Sequence, residues 1–143
     1  MVKKLPLEKF NEIYSQVPRL CVEVYTKDIV KGVLLTLRDI DPYKGYWHFP
    51  GGTVLKGESL EEAVVRVASE ELGVEVSPQK FLGIIQWGEN DHYPGGVFSV
   101  VCLSKNISGK IELNNQATET KFFKGLPSNI IPKHKQFLDL VKL

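Results

Sequence analysis

Residues 45–76, GYWHFPGGTVLKGESLEEAVVRVASEELGVEV, leave this chain few ways to fold. The stretch reads as a short strand, a Gly-Gly loop and one amphipathic helix. With about 100° between successive residues of a helix, Leu60, Ala63, Val64, Val67 and Ala68 gather on one side, the pattern of a helix packed on a core. Glu58, Glu62, Arg66 and Ser69 form the opposite polar stripe, with Glu70 at its edge. Glu71 breaks the pattern by falling inside the apolar sector, one turn after Val67. A carboxylate buried there is costly unless a cation sits beside it.

The expected cation is a metal ion. Glycine has no side chain to obstruct an approach, so the Gly51-Gly52 loop brings backbone carbonyls close to a ligand, and Glu70 and Glu71 present oxygens to the same volume. Oxygen donors select a hard divalent ion, and magnesium, which keeps waters and binds phosphates, is the expected cofactor. Manganese is its expected substitute. Taken singly, the glutamates also fit a solvated acidic helix with an i, i+4 ion pair on each side of Arg66. The combination with the glycine loop favours the metal.

The length is that of one domain, residues 1–143, and a hydrophobic fraction of 43% is ample for a core. A net charge of +1 gives no footprint for nucleic acid and no polybasic membrane patch. Cys21 and Cys102 each sit in an apolar run, so free buried thiols and a reducing, cytoplasmic setting are expected. The amino-terminal residues MVKKLPLEKF lack an apolar signal core, and no run approaches the length of a membrane span.

Leu7, Phe10, Ile13 and Tyr14 predict a short helix within Leu5 to Val17, with Pro6 in its first turn. Leu20 to Tyr25 and Gly32 to Leu37 are β-branched, apolar runs flanking a charged turn, and they read as paired strands. Arg38 ends the second, and Pro42 marks the loop that delivers the chain to Tyr46 and Trp47. After the central helix come a brief strand at Val74 to Val76, a longer one at Phe81 to Trp87, and a polar loop holding Asp91, His92 and Tyr93. Val97 to Leu103 reads as a central strand, followed by a turn at Lys105 to Lys110 and a short strand at Ile111 to Leu113. A polar loop, Asn114 to Thr120, then leads into Lys121 to Phe123. Pro132 to Val141 predicts a last helix with Phe137, Leu138 and Val141 inward, so three helices interleave with strands in an α/β class.

The central stretch resembles the box of the Nudix hydrolases, G-x5-E-x7-R-E-U-x-E-E-x-G-U with U a bulky aliphatic. Gly52, Glu58, Arg66, Glu70, Glu71, Gly73 and Val74 stand at the matching positions. Ala68 is a small residue at an aliphatic position, and Val67 replaces the glutamate that in several family members binds metal or acts as general base. The resemblance implies the family's α/β/α sandwich with a mixed sheet between helices. Beyond the box, the chain looks most like the GDP-mannose mannosyl hydrolase branch, where a box lacking that glutamate is usual. Glu23 matches the branch's acidic strand position, Arg38 its nucleotide diphosphate arginine, and Gln116 its metal-contacting glutamine. Ala117 or Thr118 stands where the branch carries its catalytic histidine, and Thr53 replaces its arginine after the glycine pair. That branch forms homodimers, so the resemblance implies a homodimer here.

These positions give a candidate set: Gly51, Glu70, Glu71 and Gln116 for the metal, and Arg38, Glu23, Trp87 and Tyr93 for substrate. With both known bases replaced, Glu119 and His92 are the candidates to act on water, and Arg66 is expected to order the glutamates. His48 reads as packed or hydrogen-bonded structure. The favoured activity is magnesium-dependent cleavage of a nucleoside diphosphate linked to a sugar such as mannose. Two alternatives stand beside it: attack at phosphorus in a nucleoside triphosphate or dinucleotide, and a nucleotide-binding module without turnover.

Overall fold

A computed structural model describes residues 3–88, 93, 95–108 and 117–141. In chain order its elements are α1 (Leu7–Tyr14), β1 (Arg19–Tyr25), β2 (Lys27–Asp28), β3 (Gly32–Arg38), β4 (Trp47–His48), β5 (Gly51–Thr53), α2 (Leu60–Leu72), β6 (Glu75–Trp87), β7 (Val97–Ser108), β8 (Ala117–Phe123) and α3 (Pro132–Val141). One sheet has the order β5-β1-β7-β6, and a second places β2 and β4 on one side of β3 and β8 on the other. β1 runs parallel to β7 while the other pairs are antiparallel, which makes the sheet layer mixed.

α2 starts and stops where local chemistry dictates. Ser59 accepts from the Glu62 backbone N–H while the Glu62 carboxylate accepts from the Ser59 N–H, a reciprocal capping box. Gly73, with φ of 69°, ends the helix in the left-handed conformation that glycine adopts without steric cost. Between them Ala63, Val64, Val67, Ala68 and Leu72 are buried against Val22 and Val24 of β1 and Leu34 of β3. Each of the larger side chains contributes roughly 1.5–3 kcal/mol by leaving water.

The opposite face of the layer packs Tyr25, Leu35, Trp47, Phe49, Ile85 and Trp87 with Phe137 of α3. Side chains alternate across a strand, so Val22 and Val24 point to α2 while Cys21, Glu23 and Tyr25 point the other way. All five are buried, as expected where both faces of a sheet are covered. Both cysteines are free and buried. No helix among the described residues is long and apolar enough to cross a membrane.

Several expectations change. β1 and β3 do not pair with each other, because β1 is flanked by β5 and β7. The hairpin forms instead between β2 and β3, where Asp28 Oδ1 accepts from the N–H groups of Val30 (2.8 Å) and Lys31 (2.7 Å) and tightens the turn. The two strands expected after α2 are one strand, β6, which absorbs Pro78 because it is an edge strand with register shifts. β7 continues to Ser108, into the expected turn, and β8 begins at Ala117, so Glu119 lies in a strand and not in a loop. The first helix is shorter than expected, with Pro6 at its N-cap. The expected strand at Ile111 to Leu113 lies outside the described residues.

Candidate active site

Arg66 is the organising cation. Its Nε donates to Glu58 Oε2 at 2.6 Å, Nη2 to Glu58 Oε1 at 3.0 Å and to the Thr53 carbonyl at 2.7 Å, and Nη1 to Glu70 Oε2 at 3.1 Å. One planar guanidinium thus joins the loop before α2, the edge strand β5 and the last turn of α2. The hydrogen bonds with Arg66 hold the Glu58 carboxyl below its ordinary range against the opposing effect of burial, and they raise Arg66 in turn. Glu58 also accepts from the Leu55 N–H at 2.8 Å. Glu62, expected to pair with Arg66, is instead engaged in the capping box.

The glycine loop is set by close packing. A Cβ on Gly52 would come within 3.1 Å of Val67 Cγ2, and one on Gly51 within 3.0 Å of the Val22 carbonyl oxygen and 3.2 Å of Glu23 Cγ. Val67 therefore fills the space against Gly52, and Glu71 projects one turn farther along the same face of α2. Val24 N–H donates to the Pro50 carbonyl at 2.8 Å and Val54 N–H to the Leu20 carbonyl at 3.0 Å. Ladder bonds of an antiparallel pair alternate along the strand, so Gly51 and Thr53, opposite Glu23 and Cys21, turn their carbonyls away from β1 to the open edge. Arg66 takes the Thr53 carbonyl, and that of Gly51 faces the same edge.

A metal ion would find its donors here. Among the described residues no group of three or more His, Cys, Asp or Glu converges on one point. Magnesium fits without one, since it is typically held by one or two carboxylates with water and substrate phosphates completing its shell. Glu70 is 39% exposed at its side chain, and both its cationic neighbours, Lys4 at 2.8 Å and Arg66 at 3.1 Å, hold Oε2. Neither of these two contacts involves Oε1. Gln116 lies outside the described residues.

Arg38 ends β3 at a register shift, and its Nε donates to the Pro42 carbonyl at 2.6 Å. Its charge acts on both His48 and Tyr93. His48 Nε2 pairs with Thr36 Oγ1 at 3.1 Å, and burial first, then the neighbouring His134 and Arg38, holds the imidazole well below the ordinary histidine range. It is a neutral ring in structure. Trp87 is buried, with its indole N–H donating to Ser99 Oγ at 3.0 Å, and Tyr93 packs against it at a centroid distance of 5.7 Å. Tyr93, half-buried, is the more accessible ring; burial raises its phenol. Arg19 lies over both Tyr93 and Phe10, 5.9 Å and 5.4 Å from the ring centroids.

Glu119 is exposed in β8 opposite Leu37, and His92 and Asp91 lie outside the described residues. Glu23 is 6% exposed and pairs with His134 of α3, a residue that sequence reasoning passed over. The signal was there: His134, Phe137 and Val141 follow helical spacing on the inward face of α3.

The NUDIX domain family model matches residues 16–136, and the chain belongs to this family. It is 31% identical over 145 residues to the low-salt glycan biosynthesis protein Agl8 of Haloferax volcanii, covering 95% of this chain and 90% of that protein. It is 35% identical over 124 residues to an ADP-ribose pyrophosphatase of Methanocaldococcus jannaschii, covering 86% of this chain and 70% of that protein. The structure of a MutT protein from Methanosarcina mazei superposes with a TM-score of 0.77 at 20% identity, covering 89% of this chain and 94% of that one. The protein is a Nudix hydrolase with the α/β/α fold of its family. Nudix hydrolases use divalent metal ions and act on nucleotide-linked substrates.

Proposed function

We propose that this protein is a magnesium-dependent hydrolase of a nucleoside diphosphate linked to a sugar, built as one Nudix domain over residues 1–143. The Arg66 frame carries the reading: Glu58, Glu70 and the Thr53 carbonyl are held by one guanidinium beside the outward Gly51 carbonyl, although Val67 has replaced the box glutamate. Losing a general base typically costs about 10²–10⁴-fold in rate, which leaves a retained metal frame worth keeping. The glycan-biosynthesis relative favours a nucleotide sugar, with GDP-mannose the first to try.

Gly51, Glu70, Glu71 and Gln116 would hold the ion, which when bound neutralises the diphosphate and stabilises the leaving group. Arg38 clamps the diphosphate by charge-assisted hydrogen bonds, Tyr93 and Glu23 contact the remainder of the substrate, and Trp87 backs Tyr93. Glu119 is the first candidate for the base and His92 the second, while Arg66 keeps the glutamates in place. A homodimer in the cytoplasm is the expected setting.

The ADP-ribose pyrophosphatase relative favours a second reading, attack at phosphorus with release of nucleoside monophosphate. Hydrolysis of a nucleotide panel in ¹⁸O-water separates them. Label in the released sugar means carbon was attacked, label in phosphate means phosphorus was, and no metal-dependent turnover of any member would overturn both.

A further inference from the structure

His134 and Glu23 lie 111 residues apart in sequence and meet in the layer between β1 and α3. His134 is 1% exposed, and its ring packs among those of Phe49 (4.3 Å), Trp87 (5.2 Å) and His48 (6.4 Å between centroids). The Phe49 N–H points at Nδ1 from 3.4 Å, so Nδ1 is the acceptor and the ring proton sits on Nε2. Nε2 then donates to Glu23 Oε1 at 2.5 Å. The tautomer follows from the network of bonds.

A carboxylate has about four acceptor sites on its two oxygens, yet Glu23 Oε2 is buried with no hydrogen-bond partner among the described residues. Buried polar groups are nearly always satisfied, and an exception calls for a reason. Structure alone is a poor one, because a buried carboxylate is costly to desolvate and apolar side chains of similar volume often pack as stably. The location supplies a better one. Glu23 stands opposite Gly51 in the β1–β5 register, with its Cγ 3.2 Å from where a Gly51 Cβ would be, and its charge reaches Tyr93 together with those of Arg38 and Arg19. The orphan oxygen therefore belongs to the neighbourhood of the diphosphate clamp, and His134 ties it to Phe49, two residues before Gly51.

We propose that His134 is a positioning residue whose Nε2–H holds Glu23 so that Oε2 accepts a hydrogen bond from an O–H or N–H donor on the non-phosphate part of the substrate. This rests on the nucleotide-linked substrate proposed above. A nucleoside and a linked sugar both carry such donors, and an anionic acceptor recognises either in the same way. The phosphates are left to Arg38 and the metal.

The test is calorimetric binding of GDP-mannose, GDP and inorganic pyrophosphate, with calcium in place of magnesium and product analysis verifying that the ligand stays intact. His134→Phe and Glu23→Gln should each weaken GDP-mannose at least about 10-fold, the size of one lost charge-assisted hydrogen bond. The double variant should be no worse than Glu23→Gln alone, because two residues acting as a unit are not additive. His134→Gln, which keeps an amide N–H donor, should recover most of the affinity, and pyrophosphate should bind all variants alike. Loss with both GDP-mannose and GDP puts the donor on the nucleoside, whereas loss with GDP-mannose alone puts it on the sugar. Additive losses, equal weakening of pyrophosphate, or unchanged GDP-mannose affinity in His134→Phe would overturn the proposal. Should His134→Phe fail to fold, a Glu23→Gln protein that binds GDP-mannose like the wild type overturns it equally. The expected pattern without metal-dependent turnover would sink the hydrolase reading alone, and wild-type protein that binds none of the three ligands would sink both.

Discussion

Arg66 Nε lies 2.6 Å from Glu58 Oε2, and the same guanidinium reaches Glu70 and the backbone of Thr53, so a single residue of α2 holds together three segments that border the candidate metal site. Lysine carries the charge but offers a point donor in place of a planar fork. Arg66→Lys is expected to keep at most one of these contacts, to cost about 1–3 kcal/mol of stability, and to weaken manganese binding more than nucleotide binding. Paramagnetic titration of manganese beside nucleotide binding in metal-free protein checks this. Equal loss of both would show that Arg66 contacts substrate.

The Glu58 carboxyl is held low chiefly by its hydrogen bonds to Arg66. A group whose folded value is depressed stabilises the fold fully above its unfolded value, about 4.3 for glutamate, and loses that contribution as pH falls through the lower folded value. Glu58→Gln should therefore be less stable than the wild type at neutral pH, with the gap in Tm shrinking below about pH 4. A gap that stays constant into acid would contradict the pairing.

Gly52 and Val67 are in mutual contact range, 3.1 Å from a Cβ built at position 52. Gly52→Ala is expected to overpack the α2–β5 junction by about 1–3 kcal/mol. Val67→Ala in the same chain should return part of that loss by making room. Chemical denaturation of the three variants measures the coupling, and strict additivity would argue that the clash is relieved elsewhere.

Glu71 follows Val67 on the face of α2 turned to the glycine loop. Replacing it with glutamine keeps the shape and removes the charge, so Glu71→Gln should lower manganese affinity at least about 10-fold, since losing even a partner that only orients a metal ligand typically costs that much, and lower turnover with it. Metal affinity and turnover both at wild-type levels would place the ion elsewhere.

Glu119 is exposed, so Glu119→Gln should leave stability within about 0.5 kcal/mol, and any change in rate reads chemistry. As a general base its loss should lower kcat by about 10²-fold or more, whereas His92→Asn should mainly raise KM. Steady-state kinetics with the reacting nucleotide decides, and the reverse pattern would assign the role to His92.

Much of this protein was legible from local sequence. The apolar face of α2 is set by residues within a few turns of one another, and α3 was read at its observed bounds for the same reason. Strand partners were less legible. An apolar run such as Leu20 to Tyr25 states that it is buried but not against which neighbour, and β1 turned out to lie between β5 and β7 while β3 paired elsewhere. Glu119 shows the same limit, because polar residues in β8 disguised a strand whose register is imposed by β3.

The sequence by itself determined the helix that bears the glutamates, the glycine loop beside it and the family they define, since each depends on spacing along one short segment. Only the tertiary structure decided that Arg66 would choose Glu58 over Glu62, that the Gly51 and Thr53 carbonyls would face one open edge, and that Glu23 would find His134. Those outcomes depend on which faces meet when distant segments pack, and a carboxylate in an apolar strand specifies only that some partner is needed.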